Sequence, residues 1–114
     1  MTDKELLELA AKAAGIHIDY SRFNGSGAGN TGFDLGGNAV LDWHNYKTWN
    51  PLTDDGDALR LAVKLRVDIV QFSDLVRADA AGYDDCNEAH DTDPYAATRR
   101  AITRAAAEIG KAMS

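Results

Sequence analysis

The sequence predicts an α+β protein: a compact α-β-α sandwich on a small, mainly antiparallel sheet, in the approximate order α-β-β-α-β-β-α. Three observations carry that expectation. Helical periodicity recurs in separate blocks at the start, middle and end of the chain, and short alternating or β-branched runs fill the gaps. The middle block, WNPLTDDGDALRLAVKL from Trp49 to Leu65, passes from an aromatic strand end straight into an amphipathic helix.

Thr2 followed by Glu5 has the spacing of a capping box, and Leu6, Leu7, Leu9, Ala10, Ala13 and Ala14 then repeat helically until Gly15 stops the run. Ile16, Ile18 and Tyr20 alternate with His17, Asp19 and Ser21, the period-two pattern of a strand with one buried face. His17 then faces solvent. The stretch 24–38, NGSGAGNTGFDLGGN, is a glycine-rich loop with room for a short hairpin near Phe33. Ala39 to Trp43 and on to Trp49 forms a second strand region.

Pro51 fixes its own φ and keeps Asn50 extended, so that strand ends there. Thr53, Asp54 or Asp55 can each cap the middle helix. Ala58, Leu61, Ala62 and Leu65 share its buried face, which Leu59 and Val63 are expected to widen. Val67, Ile69, Val70 and Phe72 then make a strand, Ser73-Asp74 a tight turn, and Leu75, Val76 and Ala78 the next strand. The stretch 82–93, GYDDCNEAHDTD, reads as a solvated acidic loop. Asp93-Pro94 opens the last helix as N-cap and N1, with Ile102, Ala105 or Ala106, Ile109 and Met113 as its buried stripe.

The 114 residues, 45% hydrophobic and 26% charged, fit one domain, 1–114, with one core. A net charge of -6 argues against general nucleic-acid binding, which needs clustered positive charge. No apolar run approaches the roughly 20 residues of a membrane span. The opening MTDKELLELA lacks the basic and unbroken apolar regions of a signal peptide, so a cytoplasmic chain is expected. A single cysteine, Cys86, allows no internal disulfide.

Chemical motifs are sparse. Gly27, Gly29 and Gly32 satisfy GxGxxG, but Phe33-Asp34-Leu35-Gly36-Gly37 follows where a dinucleotide loop needs a helix. The acidic loop lacks the ligand order of a calcium-binding hand, and Cys86 with His90 is half a zinc site. No metal, cofactor or catalytic residue is therefore assigned. Asp54, Asp55 and Asp57 are accounted for as helix-capping carboxylates. Trp43 and Tyr46 are candidates to stack a base or grip a partner protein. Arg100, Arg104 and Lys111, with Arg99 at their flank, form the one concentrated positive surface, and Arg99, Arg100 and Arg104 are candidates to bind phosphate, carboxylate or the chain's own acidic loop.

The blocks KELLELAAKAAGI, WNPLTDDGDALRLAVKL and ATRRAITRAAAEIGKAM, in that order, resemble the phage ABA sandwich domain family of small bacteriophage and prophage proteins. The resemblance implies an α-β-α arrangement, phage origin and action in the cytoplasm of the bacterial host. It brings no catalytic motif. The first expectation is a non-enzymatic accessory protein that binds a host component, such as a defence or regulatory protein. One alternative is a small-molecule binder that sequesters a nucleotide signal of antiphage defence, with the arginines on phosphate and Trp43 or Tyr46 on the base; an uncharacterised enzyme is the other. Homo-oligomerisation is left open.

Overall fold

Helix α1 (Asp3–Ala14) begins where Thr2 Oγ1 accepts the Glu5 backbone N–H at 3.1 Å while the hydroxyl donates to the Glu5 carboxylate. Gly15 ends it at a φ of 71°, a left-handed turn that a residue without Cβ adopts freely. The computed structural model describes residues 1–23 and 30–113. The first part of the glycine-rich stretch, with Gly27 and Gly29, lies outside the described residues.

Strands β1 (Arg22–Phe23) and β2 (Asn30–Thr31) pair antiparallel, as do β3 (Ala39–Asp42) and β4 (Lys47–Trp49). Helix α2 (Asp55–Leu65) follows, then an antiparallel three-stranded sheet of β5 (Asp68–Gln71), β6 (Leu75–Asp79) and β7 (Cys86–Ala89), and finally α3 (Pro94–Ala112). The α+β class and the approximate order α-β-β-α-β-β-α hold, with four short strands before α2 and three after it, divided among small antiparallel sheets. No helix among the described residues is long and apolar enough to cross a membrane.

Helix α3 is the centre of the molecule. Asp93 caps it, accepting the N–H groups of Tyr95 and Ala96 at 3.0 and 3.1 Å, with Pro94 in the first turn. Its buried residues (Ala97, Ala101, Ile102, Thr103, Ala105, Ala106, Ala107 and Gly110) cover more of its circumference than one stripe would. It packs on β6, β7, α1 and α2 alike. Small side chains permit this: a Cβ built on Gly110 would lie 2.0 Å from the Leu9 carbonyl oxygen. Leu7, Ala10, Ala14, Trp49, Leu61, Val76 and Ile102 meet in one core.

Four expectations are corrected. The segment from Ile16 to Tyr20 forms no strand ladder; Asp19 N–H donates to the Val40 carbonyl at 2.8 Å, while Ile16 and Ile18 still pack on the core. Its alternation recorded packing without pairing, for Ile18 and Tyr20 close over Gly32, where a Cβ would come within 2.3 Å of Ile18. Leu59 and Val63 do not widen the buried face of α2; they are 62% and 70% exposed, while Ala58, Leu61 and Ala62 are buried and Leu65 packs against the core. The acidic stretch 82–93 contains β7, paired to β6 from Ala78↔Cys86 to Leu75↔Ala89. Met113 caps α3 and is exposed, outside the buried stripe.

Asn50 was not singled out by its sequence context, yet it is buried and joins three segments. Its N–H donates to Asp57, its amide nitrogen to Asn38 Oδ1, and its side-chain oxygen accepts from the Leu52 N–H, at 2.9, 3.0 and 3.0 Å. Asp54 is the residue that caps α2, accepting the Asp57 N–H at 2.8 Å.

Candidate functional site, an aromatic cleft

The turn joining β3 to β4 presents Trp43 and Tyr46. Asp42 shapes it, accepting the N–H groups of His44 and Asn45 and the Asn45 side-chain amide at 2.9, 3.3 and 2.8 Å. Tyr46 takes a φ of 50°, unusual for an aromatic residue, which turns the chain back into β4. The two rings stand 6.4 Å apart, tilted by 36°.

Trp43 is fixed from behind. Its indole N–H is shared between the carbonyls of Asp19 and Thr31 at 2.9 and 3.2 Å, and its backbone N–H donates to the Asp19 carboxylate at 3.0 Å. The Ser21 side chain first, and then the Trp43 and Ser21 backbone N–H groups, hold the Asp19 carboxyl below its ordinary range. In front, the Arg22 guanidinium carbon lies 4.8 Å from the Trp43 ring centroid, a stacking contact available to arginine's planar cation.

Asp34 performs the same service for Tyr46. It accepts the Tyr46 hydroxyl at 2.6 Å, the Asn38 N–H at 2.9 Å and the Asn38 side-chain amide at 3.1 Å. Burial opposes ionisation of Asp34, but these donors outweigh it and keep the carboxyl low, while donation to that carboxylate pushes the Tyr46 phenol up. Arg22, Thr31, Phe33, Asp34, Trp43 and Tyr46 are among the residues that line a cleft of about 440 Å³, and Leu35 stands fully exposed at its rim.

Trp43 and Tyr46 are thus brought together, and Arg99, Arg100 and Arg104 lie elsewhere; none of the three lines the cleft. Arg99 donates to the Leu52 carbonyl at 2.9 Å and to Asp55 at 2.7 Å. Arg100 donates to Asp3 at 2.9 Å, with Glu88 at 3.8 Å. Arg104 donates to the Asn87 carbonyl at 2.9 Å and to the Glu88 carboxylate. These guanidiniums tie α3 to α2, to α1 and to β7, Glu88 belonging to the stretch first read as the chain's acidic loop. Cys86 is buried in β7, and that burial pushes its thiol up, away from a reactive thiolate. His90 pairs with Gln71 at 2.8 Å.

Sequence reasoning missed Arg22, Asp19 and Asp34. The available signal was a lone arginine between Tyr20 and Phe23; for the two aspartates there was none, because their partners are set by turn geometry. The fold and site together define a small α+β domain carrying an open, pre-organised aromatic cleft with one arginine on its wall. Comparison with protein-family models, curated proteins and solved structures returns no match.

Proposed function

We propose that this protein is a non-enzymatic binding protein whose cleft grips a host component, a partner protein being the reading best supported. The carrying observation is the stack of Arg22 on Trp43, 4.8 Å apart, beside a Tyr46 held by Asp34. Rigid aromatic anchors and arginine are the side chains that concentrate binding energy at protein interfaces, and little conformational entropy is lost when they are fixed beforehand. The phage origin and the bacterial-host setting are supported by the sequence resemblance alone. A nucleotide-sequestering role called on Arg99, Arg100 and Arg104 for phosphate; their engagement with Asp55, Asp3 and Glu88 favours the partner-protein reading.

Retention of host proteins from bacterial lysate on immobilised protein is the test, with a Trp43→Ala/Tyr46→Ala double variant as control. A specific band held by the wild type and released by the folded variant supports the reading. Equal retention by both, or none by either, refutes it.

A further inference from the structure

We infer that the cleft takes a protein segment in which a carboxylate stands next to an apolar or aromatic side chain; this rests on the partner-protein reading above. The two charged groups lining the cleft are Arg22 and Asp34, and they are not equivalent. Asp34 has both oxygens engaged, Oδ1 by the Asn38 N–H and Oδ2 by the Asn38 amide and the Tyr46 hydroxyl. Little acceptor capacity remains for a ligand. Arg22 lies over Trp43 and, among the described residues, pairs with no carboxylate. A guanidinium presents its N–H groups as a planar fork, which a single carboxylate matches with two parallel hydrogen bonds.

The charge balance selects the carboxylate over a polyphosphate. The chain carries -6 overall, and the ionised Asp34 borders the same cleft, so each further negative charge on a ligand meets repulsion that one arginine does not offset. Beside the fork the walls are apolar: Phe33, Tyr46 and the exposed Leu35. The Trp43 indole N–H is already committed to two carbonyls, so the ring offers surface and no polar handle. A volume of about 440 Å³ lies at the lower end of the roughly 300–1,000 Å³ of pockets that enclose small molecules, and this cleft is open on one side. It accommodates neighbouring side chains presented by a chain that continues past it.

The experiment titrates ¹⁵N-labelled full-length protein with the blocked peptide Gly-Glu-Phe-Gly, its Gly-Gln-Phe-Gly counterpart and AMP, following the Trp43 indole and Arg22 Nε–H signals. The glutamate peptide shifts both signals saturably, and the glutamine peptide binds about tenfold more weakly, as loss of a charge-assisted pair predicts. In Arg22→Gln that preference disappears; in Arg22→Lys, which keeps the charge without the fork, part of it returns. Both changes are on an exposed side chain, and circular dichroism confirms the fold. Equal binding of the two peptides, or an unchanged preference in Arg22→Gln, overturns carboxylate recognition and leaves the cleft a binding site. Tighter binding of AMP than of either peptide overturns the protein-segment assignment. No cleft shift with any probe overturns the inference, while lysate retention separately decides the broader reading.

Discussion

Gly110 of α3 and Leu9 of α1 meet backbone to backbone: a Cβ on the glycine would stand 2.0 Å from the Leu9 carbonyl oxygen. Gly110→Ala therefore forces the two helices apart. Alanine's better helix propensity returns about 1 kcal/mol, and overpacking outweighs it, for a net loss of about 1–3 kcal/mol. Urea unfolding measures it. A variant as stable as the wild type contradicts this close approach.

Arg99 clamps α3 to Leu52 and Asp55, away from the cleft. Arg99→Ala releases the Leu52 carbonyl and Asp55 together, and Arg99 itself is only 17% exposed, so a loss of about 1–2 kcal/mol is expected. Asp55, 74% exposed, contributes less, and Asp55→Asn costs under about 1 kcal/mol. Neither change alters partner retention by protein that remains folded. Retention lost from folded Arg99→Ala would return this arginine to the binding surface.

Asp19 positions Trp43 without lining the cleft. Asp19→Ala removes the acceptor for the Trp43 and Ser21 backbone N–H groups, so the backbone that carries the ring loosens while the indole N–H keeps its two carbonyls. Partner retention falls several-fold while the thermal midpoint moves by less than about 4 °C. Emission of Trp43, recorded in a Trp49→Phe background, reports the loosened ring. An unchanged Trp43 environment in a folded variant speaks against the positioning role.

The acidic edge near β7 gives a pH signature. A hydrogen bond to Asp79, followed by that residue's charge, raises the Asp85 carboxyl above its ordinary 3.8. Asp79 is itself held from the other side, its Oδ2 accepting from Arg77 at 3.1 Å. A carboxyl raised in the folded state favours folding less as pH climbs from 3.8 through the raised value, because the unfolded chain ionises more readily. Asp85→Asn is therefore more stable than wild type at neutral pH, and the advantage shrinks on acidification towards pH 4. Thermal midpoints of both proteins across that range check the sign; an advantage that grows on acidification contradicts it.

What could be read in the residues followed how local each signal was. The caps at Thr2, Asp54 and Asp93 and the stop at Gly15 depend on neighbours a few positions away, and the helix ends fell where those residues stand. Burial was harder, because it depends on what lies opposite. Leu59 and Val63 have the spacing of a core face but find no element against them, while β7 was hidden because one apolar residue, Cys86, is enough to seat it beside α3. The cleft was half legible. Trp43 and Tyr46 advertise themselves, whereas Arg22 reaches them from a distant segment through the pairing of Arg22 with Thr31 and the closure of the chain over Asp19. The three arginines of α3 were equally visible, but only their partners showed that they fasten the fold.

The pairing of the first helix with the last has a consequence for biosynthesis. Asp3 is held by Arg100, and Lys12 donates to the Met113 carbonyl, so these partners of α1 leave the ribosome 97 and 101 residues later. Until then the nascent polypeptide lacks the helix that makes most of the contacts with α1, so the core holding Leu7, Ala10 and Ala14 is incomplete. A messenger truncated before the final helix should yield a product that chaperones retain and proteases remove, however well its leading segments are encoded.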